Sequence, residues 1–142
     1  MNRAQIIEDL MDTLAAIRPE NGFTTQPAEI RRGIHLAEDM NERPALCLFN
    51  EKVETVDATS GTAQRILFLH LWGVANAPEA DYTGLDALAA DCLKALADPA
   101  LNPHWASTSA ARLMVYEGGA GDPLGLFDLQ LQVSYEAGLG EL

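Results

Sequence analysis

The chain has 142 residues, with 9 Lys plus Arg against 21 Asp plus Glu, a formal net charge of −12, and 48% of its residues are hydrophobic. That apolar share can build a core, which argues against intrinsic disorder, and the length fits one domain over residues 1–142. The charge disfavours both a general nucleic-acid grip, which needs clustered Lys and Arg opposite phosphates, and adhesion to an anionic membrane.

Residues 3–17 read as an amphipathic helix, because Ile6, Ile7, Leu10, Met11, Leu14 and Ile17 recur at three- and four-residue steps. Asn2 followed by Gln5 predicts a capping box, and Pro19 ends the helix. Phe23-Thr24-Thr25 reads as a short extended piece, and residues 29–40 as a turn of helix or an irregular crossing segment. A strand begins at Ala45 and runs to Phe49, with an exposed continuation to Val56 and a polar turn at 57–61. Residues 64–75 (QRILFLHLWGVA) are the strongest strand, apolar on both faces. Ile66, Phe68, His70, Trp72 and Val74 share one face; Leu67, Leu69 and Leu71 share the other.

Residues 83–97 predict a second helix with a buried stripe of Leu85, Leu88, Ala89, Cys92, Leu93 and Leu96, and Thr83 with Asp86 as a cap-like pair. Residues 100–111 read as irregular, anchored by Trp105. A short strand at 112–117 and a glycine-rich turn at 117–123 lead to residues 126–136, where Phe127, Leu129, Leu131, Val133 and Tyr135 alternate with polar residues. The core therefore spans about residues 3–136, with a flexible tail at 137–142. The expected fold is α+β: a single layer of mainly antiparallel four-stranded sheet against two helices, in the order helix-strand-strand-helix-strand-strand. The second apolar face of the 66–72 strand is left over and needs a partner.

No motif carries chemistry. Cys47 and Cys92 lie in apolar runs and read as small buried thiols, without metal-ligand spacing. His35, His70 and His104 are far apart in sequence. Gly118-Gly119-Ala120-Gly121 is followed by Asp122-Pro123 and by no Lys-Ser or Lys-Thr, so it reads as a hairpin loop and not a phosphate cradle. The acid pairs Asp9/Asp12 and Glu38/Asp39 read as solvated faces. No signal peptide or membrane-spanning run is expected, nor any cofactor, metal or catalytic residue, and the default setting is reducing and cytoplasmic.

The order of features resembles the small tail-terminator and tail-completion proteins, or minor tail proteins, of long-tailed bacteriophages and prophages. The likeness rests on RAQIIEDLMDTLAAI ending near Phe23, on RPALCLFNEKVETV, RILFLHLWGVA, the helix after Tyr82 and FDLQLQVSY. It implies a structural virion protein, assembled in the host cytoplasm. That protein forms a hexameric ring at the head-proximal end of the tail, stops tube polymerisation and offers the head–tail joining surface. The partners so implied are further copies of the chain, the tail-tube protein and the head–tail connector protein. DNA passes through without being bound specifically, and no membrane is involved. Candidate subunit-interface residues are Arg31, Arg32 and Arg43, where the positive charge gathers, and Leu67, Leu69 and Leu71 on the central strand. Part of the negative charge is expected to line the lumen and keep DNA from sticking. The alternative is a small non-catalytic binding or adaptor module, dimeric and cytoplasmic; an enzyme with a dispersed site is the remote third reading.

Overall fold

The computed structural model describes residues 1–35, 39–118 and 123–142. Helix α1 (Arg3–Ala15) is followed by a short strand β1 (Glu29–Arg32), two long strands β2 (Ala45–Thr59) and β3 (Thr62–Asn76), helix α2 (Thr83–Ala97), and strands β4 (Thr108–Glu117) and β5 (Leu124–Gly138). The strands form one five-stranded mixed sheet in the order β1-β2-β3-β5-β4, with β1 parallel to β2 and all other neighbours antiparallel.

This corrects the expected four-stranded, mainly antiparallel sheet and its element order. The extra strand is Glu-Ile-Arg-Arg, with one apolar residue in four and no readable alternation. Pairing with β2 makes it a strand: Glu29 to Arg32 align with Ala45 to Leu48, and Ile30 packs on the main core. The other expectations fare unevenly. α2 has the expected bounds, whereas β2 absorbs residues 57–59 and turns at Ser60-Gly61, where Gly61 takes φ 92°. β4 begins four residues earlier than its apolar run suggests, because Thr108 and Ser109 already pair with Val133 and Gln132.

The caps are built differently from the predicted pairs. Gln5 N–H donates to Asn2 Oδ1 at 2.9 Å, as a capping box requires, yet the Gln5 side chain turns forward to Asp9 at 3.0 Å. At α2, Asp81 accepts from the Thr83 N–H at 3.1 Å and from its hydroxyl at 2.7 Å; Asp86 plays no part in a side-chain cap. The hydroxyl and N–H of Thr83 hold the Asp81 carboxyl below its usual pKa.

Both helices lie on one face of the sheet. There Leu67, Leu69 and Leu71 of β3 and Phe127, Leu129, Leu131 and Val133 of β5 meet Ile6, Ile7, Leu10 and Leu14 of α1 and Leu85, Leu88 and Cys92 of α2. Period two in the strands and period 3.6 in the helices put these residues on facing surfaces, and the hydrophobic effect joins them. Gly73 belongs to this layer: a Cβ there would lie 1.9 Å from Cε2 of Phe127, so the bare glycine makes room for the ring.

Two buried polar groups lock the connections. Asp91 on α2 accepts from Thr25 N–H at 2.7 Å, the Thr25 hydroxyl at 2.6 Å and Thr24 N–H at 3.4 Å, pinning the segment after Phe23. Asn102 donates to Leu96 O at 2.8 Å and accepts from His104 N–H at 2.9 Å, closing the stretch after α2. His104 is buried and its Nε2 lies 2.8 Å from Asp9 Oδ2, while Trp105, expected as the anchor, is half exposed. At the other end, β5 continues through Ala137 and Gly138 into the stretch read as a tail. The Tyr135 hydroxyl donates to Leu142 O at 2.5 Å, and Arg3 N–H donates to the same oxygen at 2.9 Å.

Candidate functional site

Among the described residues, no α-helix lies on the opposite face of the sheet. Register partners share a face, so Phe49 of β2, His70 of β3 and Gln130 of β5 form one row across it, with Cys47, Trp72 and Asp128 as the next. The residues left over by the helices are Ile66, Phe68, His70 and Trp72, all partly exposed, and Leu126 at 36% exposure. A smaller buried cluster of Met40, Ala45, Cys47 and Val74 lies under this face at one end, with Phe49, Trp72 and Leu124 packed on it.

His70 is the centre of a polar knot in this apolar field. Its Nδ1 lies 2.8 Å from Asp128 Oδ1, its Nε2 lies 3.3 Å from Glu51 Oε1, and its ring stacks on Phe49 at a centroid distance of 5.1 Å. Phe49 in turn meets Trp72 edge to face at 4.8 Å, and Lys52 Nζ sits 4.7 Å from the centroid of Phe68. Burial of the imidazole works against its charged form, but carboxylates on both ring nitrogens outweigh it and raise the His70 pKa. With both nitrogens facing acceptors, the imidazolium is the form that satisfies every bond. Beside Trp72 a pocket of about 350 Å³ opens by the ends of β4 and β5, walled by Met40, Val74, Tyr116 and Leu126, with His35 and Asp128 as its polar groups.

No protein-family model matches the chain, and no curated protein is detectably similar to it. Among the described residues no three His, Cys, Asp or Glu side chains are grouped as metal ligands, and no helix is long and apolar enough to cross a membrane.

The sequence-predicted interface residues scatter over the fold. Leu67, Leu69 and Leu71 lie under the helices, each at most 1% exposed, inside the chain's own core. The face that neither α1 nor α2 covers is the one carrying Phe68, His70 and Trp72, a set that the alternation of the strand names without saying which side the helices take. Arg31 and Arg32 stand on the outermost strand, where Arg31 is paired with Glu29 and Arg32 is exposed. Arg43 lies just before β2, partly buried. The glycine loop falls largely on residues 119–122 and Glu38 of the acid pair on 36–38, outside the described residues. Sequence reasoning missed the knot at His70, because Glu51 and Asp128 reach it across strands 19 and 58 residues away. The only signal was a histidine in the middle of an apolar strand.

Proposed function

We propose that the protein is a structural virion subunit, without catalytic activity, that forms a ring at the head-proximal end of a phage tail. In this reading it ends tail-tube polymerisation and offers the surface that joins the head. One observation carries it: a sheet armoured by helices on one face presents Phe49, Phe68, Trp72 and Leu126 on the other. A lone subunit gains nothing by keeping such an apolar surface partly wet, whereas repeated copies or a tube end would cover it. The resemblance of the segments RAQIIEDLMDTLAAI, RILFLHLWGVA and FDLQLQVSY to phage tail terminators adds the identity of the assembly. Its partners are other copies, six to a ring, the tail-tube protein and the connector protein, and its place is the virion tail. The dispersed negative charge suits a lumen through which DNA slides without adhering.

The test is mass in solution by light scattering, together with cryo-electron microscopy of the chain added to isolated tail tubes. A closed ring in solution or at one tube end supports the reading; a monomer in solution that leaves the tubes bare overturns it. A small binding or adaptor module is the second reading, favoured by the apolar pocket beside Trp72. It predicts a dimer or monomer that takes up an apolar ligand or side chain there.

A further inference from the structure

The two edges of the sheet are built unequally. On the β2 side, the stretch beyond the four-residue β1 carries Glu51, Lys52, Glu54 and Asp57 and is broken by register shifts at Asn50/Lys52 and Thr55/Asp57. Charges and bulges of this kind blunt an edge against pairing. On the other side, β4 has one register shift, at Ala110/Arg112, and beyond it a regular run with no proline or lysine that presents Leu113, Val115 and Tyr116 at 41%, 44% and 50% exposure. Among the described residues no strand pairs with this edge, and an apolar edge of this kind invites one. β4 contains one Arg112 and one Glu117, so it is locally neutral in a chain of −12 and lets acidic copies meet without stacking like charges.

Strand directions decide which edge of a second copy fits. β1 runs with β2, β2 against β3, β3 against β5 and β5 against β4, so β4 runs opposite to β1. A neighbour related by rotation about an axis along the strands therefore brings its β1 against β4 in antiparallel sense, helix-covered faces on the same side. Arg32 shares the helix side with Leu48, and Val115 shares it with Phe127; Arg31 and Tyr116 share the open side with Cys47 and Leu126. We propose that copies of this chain join edge to edge, β1 of one against β4 of the next, with Arg32 facing Val115 and Arg31 facing Tyr116. In that register Arg32 is also diagonal to Glu117, an unlike-charge pair, and Arg31 covers an aromatic ring. Because the contact is head to tail it propagates from copy to copy, and a rotation that closes makes it a ring. Only this closure rests on the ring reading; the pairing of edges stands on the strands themselves.

The test uses two full-length variants, Arg32→Cys and Val115→Cys, mixed at high concentration and treated with a short bis-maleimide. The native cysteines, Cys47 and Cys92, are buried and leave the wild type uncoupled as the control. The mixture is expected to give a coupled pair that neither variant gives alone, and Leu113→Lys added to the Val115→Cys chain abolishes it. Arg31→Cys with Tyr116→Cys repeats the test on the other face. Coupling of Val115→Cys with itself overturns the proposal in favour of a two-fold pair. No coupling in a protein that light scattering shows to be oligomeric overturns the edge contact and leaves the ring to another surface. No coupling in a protein monomeric in solution and absent from tube ends overturns both readings.

Discussion

His70 Nδ1 stands 2.8 Å from Asp128 Oδ1 across the β3–β5 ladder, on the face of the sheet that neither α1 nor α2 covers. With Glu51 at the other ring nitrogen, the imidazole is held between two carboxylates and its pKa is raised. A folded-state pKa above the unfolded value of about 6.5 means that the pair stabilises the fold fully below that value and fades as pH rises through the folded one. Thermal melting of wild type and His70→Gln between about pH 5 and 9 should show the largest gap at the acidic end, closing toward the alkaline end. A gap that widens with pH would contradict the pairing.

Asp128→Asn should remove most of the rise in the His70 pKa, readable in the imidazole proton resonances, at a stability cost of about 1 kcal/mol near pH 6. Glu51→Gln, whose contact is longer at 3.3 Å and whose side chain is more exposed, should move it less.

Asp91→Ala leaves two backbone N–H groups and the Thr25 hydroxyl without their acceptor. Loss of a buried acceptor serving several donors costs about 2–3 kcal/mol, readable as a lower urea midpoint. The same variant should expose the segment after Phe23 to hydrogen exchange, because those bonds tie it to α2.

Gly73→Ala drives a methyl into the Phe127 ring, itself 1% exposed and hemmed in by the core. Overpacking at such a site costs about 3 kcal/mol. Combining it with Phe127→Leu should recover part of the loss, and a double variant as unstable as the sum would rule out the clash as the cause.

Burial raises the pKa of both thiols, most strongly that of Cys92 inside the main core. Neither should react with a disulfide reagent in the native protein at neutral pH, and both should react once urea unfolds it.

The elements with strong periods were legible in the sequence: α1 and α2 from their three- and four-residue spacing, β5 from strict alternation of Phe127 to Tyr135, and the two-faced character of β3. Local preference and burial agree in these stretches, so a single chain pattern names them. β1 was not legible, since Glu29-Ile30-Arg31-Arg32 has no pattern of its own and becomes a strand only beside Ala45 to Leu48. The side of β3 that faces the helices was likewise undetermined, because both sides are apolar and alternation fixes only which residues go together. The knot at His70 needed two strands to deliver Glu51 and Asp128.

By itself the sequence determined an acidic, core-forming chain whose periodic stretches become helices and strands, because hydrophobic spacing is a local property. Tertiary structure alone decided the fifth strand, the apolar edge at β4 and the face that the two helices leave open. These depend on which distant segments pair, and backbone hydrogen bonds and burial settle that only when the whole sheet closes.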